Sequence, residues 1–178
     1  GFSYQNLYCE TNHLPSREYY FKTSLSWTFV SSTNFGVRLY PAGFAFDVAG
    51  SSVFPSLKEE FYLLGFMNSK IVTMVMSIYN PTMNFQVGDV KKIVIKSRTI
   101  SKEVVEKMVE ENISISRHDW DSQETSWDFK QNELIRLKSS DGSIKSTLEE
   151  YKSYWTSQFF QLHKNEVELN RIFIEIYG

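Results

Sequence analysis

The run from Phe61 to Tyr79 constrains this chain most, because it is apolar over nineteen residues except for a polar break at Asn68, Ser69 and Lys70. It is long enough to tempt a membrane assignment. A lysine at the centre of a bilayer would cost about 2.5 to 3.5 kcal/mol, so the run reads as a helix buried inside a folded protein. Ser56 is placed to cap that helix, with Glu59 three residues on completing a capping box and Lys58, Glu59 and Glu60 in the first turn. Phe61, Leu64, Asn68, Ile71, Val75 and Ile78 recur at helical spacing, and Leu63, Phe66, Met67, Met74 and Met76 thicken the apolar face. This predicts one helix from Ser56 to Asn80, covered on more than one side and stopped by Pro81.

Upstream, Tyr19 to Phe54 is rich in β-branched and aromatic residues, punctuated by polar or glycine-containing stretches at 31–34, 40–43 and 50–52. Short strands joined by tight turns follow. Downstream, Lys91 to Lys96 alternates in a way that favours a strand, and Ser101 is placed to cap a second helix running to about Asn112. After the turn at Asp141 and Gly142, Leu148, Trp155, Leu162, Leu169 and Ile176 fall seven apart. Ile144, Tyr151 and Ile172 take the companion positions, interrupted by Gln158 and Asn165, which predicts a long helix paired within the molecule or between chains. An intramolecular pairing is favoured, since Phe159 and Phe173 widen the apolar face. The expected class is α+β: a small mixed-strand domain over residues 1–98 packed on a central helix, then a helical segment over 99–178 ending in one long helix. The chain starts and stops abruptly, which suggests an excised piece of a larger protein.

Net charge is only -2, so no global basic field announces a nucleic acid. Locally, residues 61–102 carry Lys70, Lys91, Lys92, Lys96, Arg98 and Lys102 against the single acid Asp89. That suits a DNA-reading module and, equally, a solvated strand edge bearing lysines. One cysteine, Cys9, forms no internal disulfide, and a reducing cytoplasm is the expected compartment, with no membrane partner. The three histidines are far apart in sequence, so no metal site is expected. His118, Asp119, Asp121, Glu124 and Asp128 form the densest polar cluster. A magnesium-dependent nuclease site is one reading of it; the favoured one is a helix-turn segment whose Trp120 and Trp127 dock on the body while the acids face water.

Five blocks in order resemble the C-terminal part of the PglX family, the adenine-specific DNA methyltransferases of BREX phage-defence systems. They are Ser31 to Arg38, Phe46 to Pro55, Asn80 to Val90, Ile115 to Phe129 and Asn165 to Gly178. Ala49, Gln123 and the stretch from Lys130 to Leu134 depart from the expected pattern. The resemblance implies a target-recognition domain that reads and positions double-stranded DNA. An adenine methyltransferase needs a glycine-rich loop for S-adenosylmethionine and an Asn/Asp-Pro-Pro-Tyr/Phe loop for the flipped base. Asn80 to Met83 imitates only the first half of the second motif, so no catalytic residue and no cofactor are expected in this chain. The parent enzyme would take S-adenosylmethionine through a methyltransferase domain N-terminal to this region. Contacts to DNA are expected from Ser31, Ser32, Asn34 and Arg38, with Lys22 nearby, from Asn84 and Gln86 in the crossing after the helix, and from Lys91 and Lys92. The plainer reading of the serine and asparagine turn is that it satisfies its own backbone. Two other functions compete: a module that docks the methyltransferase to other defence-system proteins, and a fragment of a restriction endonuclease.

Overall fold

The structure is a computed structural model. It describes residues 16–32, 34–56, 59–96 and 99–178, with the backbone alone for 99–101. Three strands, β1 (Ser24–Thr28), β2 (Val37–Tyr40) and β3 (Gly50–Val53), form an antiparallel sheet in the order β2-β1-β3. Leu25 pairs with Leu39 and Val53, and Trp27 with Val37 and Ser51, so one face carries the apolar side chains that enter the core. By strand alternation the other face carries Ser24, Ser26, Arg38, Tyr40 and Ser52. Together with the helices below, this bears out the α+β expectation.

The single helix expected from Ser56 to Asn80 is two helices, α1 (Glu60–Met67) and α2 (Lys70–Tyr79), bent by 63°. Asn68 causes the break. Its side chain accepts from the Val37 N–H and donates to the Val37 carbonyl, both at 2.9 Å, as a neighbouring strand would. Ser69 then caps α2 by accepting from the Val72 N–H, and the Lys70 N–H donates to Asn170 at 2.8 Å. Ser56 does not cap α1, which starts four residues later; its hydroxyl donates instead to the Glu59 carboxylate at 2.7 Å, and Lys58 lies outside the described residues. Among the described residues no single helix is long and apolar enough to cross a membrane.

The two halves of the apolar run have different surroundings. Helix α1 is enclosed, burying Tyr62, Leu64, Gly65, Phe66 and Met67 against the sheet on one side and two later helices on the other. By contrast α2 buries only Val72 and Met76 and leaves Met74, Ile78 and Tyr79 exposed, so cover on more than one side holds for α1 alone. Nor do Lys91 to Lys96 form a strand. A short helix, α3 (Val87–Val90), leads into a turn and then irregular chain, whose polar groups are taken by tyrosines. The Tyr177 hydroxyl donates to Val94 and accepts from the Lys96 N–H, while the Tyr62 hydroxyl donates to the Lys96 carbonyl. With these partners the segment needs no neighbouring strand.

Helix α4 (Thr99–Asp121) begins before Ser101 and continues well past Asn112, because Ile113 still packs on the core and His118 stacks on Trp155 at 5.5 Å. Val109 of α4 lies so close to Gly65 that a Cβ there would sit 2.7 Å from its methyl, which explains the glycine. After a polar loop come α5 (Glu133–Arg136) and α6 (Ile144–Tyr177), a helix of about 50 Å. Only the second half of the heptad stripe is core: Leu169, Ile172, Phe173 and Ile176 are buried on α1 and α4, whereas Ile144, Leu148 and Phe159 are exposed. The favoured intramolecular pairing is thus present, but Phe159 does not widen the buried face. The tryptophans expected to dock do not. Trp120 is exposed and Trp127 is 98% exposed, since the loop is held by its own polar groups, Ser126 donating to Asp121 at 2.7 Å. Among the described residues one core runs from Leu25 and Trp27 through α1 to Val105, Val109 and the end of α6.

Candidate nucleic-acid interface

Beyond β1 the chain keeps its extended course and is met by the segment after α2. Val30 and Asn84 form an antiparallel bridge, the Ser31 N–H donates to the Met83 carbonyl at 2.9 Å, and the Phe85 N–H donates to the Phe29 carbonyl at 2.7 Å. The Trp27 indole N–H also donates to the Phe85 carbonyl, and Phe35 packs between Trp27 and Phe85 with centroids 5.8 and 5.2 Å away. This buried aromatic trio fixes the pairing. It brings the turn residues Ser31, Ser32 and Asn34 to the same edge as Asn84 and Gln86, which follow about fifty residues later.

Asn80 organises the crossing. Its side chain is buried, donates to the Asn84 carbonyl and to Asp89 at 2.8 Å, and accepts from the Thr82 N–H and hydroxyl at 3.1 and 2.5 Å. Thr82 in turn accepts from the Asn84 N–H at 3.2 Å. The loop is thereby tied to α3, whose end leads into Lys91 and Lys92. The Lys92 ammonium pairs with Asp89 at 2.9 Å and lies 5.7 Å from the centre of the Tyr79 ring. Hydrogen bonds from Lys92 and then Asn80 hold the Asp89 carboxyl below its ordinary value. Lys91 is exposed beside this pair.

The remaining expected contacts are dispersed. Arg38 is exposed in β2, opposite Ser26, and Ser26 faces Ser52 on its other side, so these three make one row across the non-core face. Beside that row the segment from Phe44 to Asp47 leaves an open cleft of about 350 Å³ lined by Ser24, Ser26, Tyr40 and Ser52. Lys22 precedes β1, at the end of the sheet away from the turn, and lies 5.3 Å from the centre of the Tyr19 ring. Among the described residues the bases of 61–102 form no continuous stripe. Lys70 starts α2 near α6, Lys96 sits over Tyr177, Lys102 pairs with Glu106 on α4, and Arg98 lies outside the described residues.

Of the polar cluster near the end of α4, His118 joins an ion-pair network, Asp121 accepts from Ser126, and Asp119, Glu124 and Asp128 are exposed. Glu133 is buried, accepts two hydrogen bonds from the Arg136 guanidinium at 2.8 and 2.5 Å, and lies 3.3 Å from the His118 ring nitrogen. Arg136 covers the Tyr154 ring at 4.6 Å. Among the described residues no three histidine, cysteine or acidic side chains converge as metal ligands. Arg136 first, and then His118, holds the Glu133 carboxyl below its ordinary value against the opposing effect of burial. A folded-state pKa below the unfolded one adds stability that is complete above about pH 4.3 and is lost as pH falls through the lowered value. In urea titrations from pH 7 to pH 3, Glu133→Gln should therefore lose less stability on acidification than the parent. Equally steep losses would remove this role from Glu133.

Sequence reasoning weighed Asn80 as a helix stop and, with Met83, as half of a methyltransferase motif, and it gave Met83, which is 59% exposed at the crossing, no role of its own. The Asn-Pro pair carried a signal for the first. None existed for the second, because its exposure depends on a pairing between distant segments.

No protein-family model matches the chain. Two curated proteins match nearly its whole length. The adenine-specific methyltransferase BrxX of Escherichia coli O9:H4 (strain HS) is 36% identical over 169 residues, 93% of this chain and 13% of that protein. The adenine-specific methyltransferase PglX of Lacticaseibacillus casei (strain Zhang) is 34% identical over 171 residues, 94% of this chain and 14% of its own length. The chain thus spans a small part of the length of the curated relatives it matches, and the resemblance read from the five blocks is borne out as a match to one segment of them.

Proposed function

We propose, from the match to one segment of PglX-type adenine-specific methyltransferases, that this chain is the part of such an enzyme that recognises DNA and positions it for methylation. The observation that carries the reading is the joining of the Ser31 to Asn34 turn to the 81–86 crossing. It sets the exposed amides of Asn34, Asn84 and Gln86 on one firmly anchored edge. Side-chain amides can pair in bidentate fashion with adenine, Arg38 can do so with guanine, and serine hydroxyls and Lys91 suit phosphates. The parent protein would act in the cytoplasm, marking host DNA by adenine methylation within a BREX-type phage defence.

The described residues do not fit S-adenosylmethionine. Both ends of the Asn80 carboxamide are engaged within its own loop and by Asp89, and the described glycines are scattered rather than gathered in a cofactor loop. Cofactor and catalytic groups would belong to another region of the parent.

Fluorescence anisotropy with labelled duplex DNA tests the reading. Affinity should fall as salt rises, because phosphate contacts release counterions. Sequencing the bound fraction of a random duplex pool should show that Asn34→Ala and Arg38→Ala relax the preferred site. Lys91→Ala should weaken all sequences alike and lower the salt slope by about 1. Binding indifferent to salt, or an unchanged preference in both variants, would count against DNA recognition. A second reading, docking to other proteins of the defence system, is favoured by the exposed apolar first half of α6, where Ile144, Leu148, Phe159 and Phe160 lie uncovered.

A further inference from the structure

The crossing presents an apolar side chain where a surface loop ordinarily carries polar ones. Met83 is exposed, as are Pro81 and Thr82 before it and Asn84 after it. Its backbone is held on both sides: its carbonyl accepts from Ser31, Thr82 is bonded to Asn80 and Asn84, and Phe85 is locked into the aromatic trio. A slack loop could fold a methionine back onto the protein. This one is tied to β1 on one side and to α3 on the other, through Asn80 and Asp89. Phe85, two positions after Met83, shows what the same pairing does elsewhere, since it is buried while Met83 stays in water.

We propose that Met83 is a wedge that enters the base stack of duplex DNA beside the target adenine. The inference rests on the DNA-recognition reading above and goes beyond it by assigning an apolar, stack-opening role. A base that is to be modified must leave the stack, and the gap must be opened and kept open. Methionine is among the apolar side chains that insert between base steps, being unbranched, slender and polarisable. Its flanks suit such an approach: Asn84 and Gln86 offer amides to base edges, and Ser31, Ser32 and Lys91 offer a hydroxyl-rich and cationic margin to phosphates.

The test uses the best-bound duplex from the pool selection, with 2-aminopurine replacing each adenine in turn. At saturating protein, fluorescence should rise severalfold at one position as the probe leaves the stack. Met83→Ala should still bind the duplex, more weakly, and lose most of that rise, while Met83→Leu should keep it. On a duplex with an abasic site at that position, where no stack has to be opened, Met83→Ala and the parent should bind alike. Circular dichroism confirms that the exposed substitution leaves the fold intact. Duplex binding with no rise at any position, or an undiminished rise in Met83→Ala, overturns the wedge and leaves DNA recognition standing. Absence of duplex binding by the unsubstituted chain at low salt overturns both.

Discussion

Replacing Phe173 by alanine should lower the free energy of unfolding by about 3 to 5 kcal/mol, as truncation of fully buried phenylalanines does. The ring has no solvent exposure, meets Tyr62 and Phe66 at centroid distances of 5.6 and 5.5 Å, and lies against the Gly65 face of α1. The change removes apolar contacts and leaves a cavity walled by α1 and α4, which cannot close because Gly65 and Val109 already bring those helices together. A domain of this size is stable by about 5 to 15 kcal/mol, so the loss is a large share of the whole. Phe160→Ala, an identical change on the same helix at an exposed position, should stay within about 0.5 kcal/mol. Urea unfolding of the two variants separates them. Equal losses would mean that the first half of α6 is covered in solution, as a dimer through that half would require, and sedimentation would then show the dimer.

The contrast between these phenylalanines marks a limit of sequence reading. Residues 160 and 173 belong to one helix whose seven-residue repeat runs past both, and the pattern does not say where its partner ends. The strands and the long helix were legible, since turn residues and a seven-residue repeat are local signals. Where local signals failed, a distant group had taken over the backbone. Asn68 breaks the apolar helix because β2 supplies a backbone for its amide, and the Lys91 to Lys96 alternation forms no strand because Tyr62 and Tyr177 reach its polar groups. The candidate interface follows the same rule. Its turn and its crossing were each visible, but their meeting depends on the Val30 and Asn84 bridge and on an aromatic trio drawn from three separate segments. Lys22, expected near the turn, lies instead at the far end of the sheet.

Asn165 occupies a seam position of the heptad stripe yet is buried, and it should behave as one member of a polar cluster rather than as a flaw in the core. Its amide donates to the Glu111 carboxylate at 2.7 Å and to the Asn112 side-chain carbonyl at 2.9 Å, while Gln161 donates to its oxygen at 3.0 Å. Asn165→Leu would leave the Asn112 carbonyl without its donor in a half-buried site, at a cost of about 1 to 3 kcal/mol. Glu111 is exposed and can recover its lost bond from water. Changing Asn112 to leucine as well removes the stranded group and puts apolar surface on both sides of the α4 and α6 contact. Most of the stability should then return, giving a coupling energy within about 0.5 to 3 kcal/mol in a double-mutant cycle. If register depends on the cluster, the double variant should regain stability and yet show broadened amide resonances along α4 and α6, because a purely apolar seam allows neighbouring alignments. Additive losses in the cycle would show that Asn165 and Asn112 act separately, and sharp resonances in the double variant would show that the register of the helix pair does not depend on the cluster.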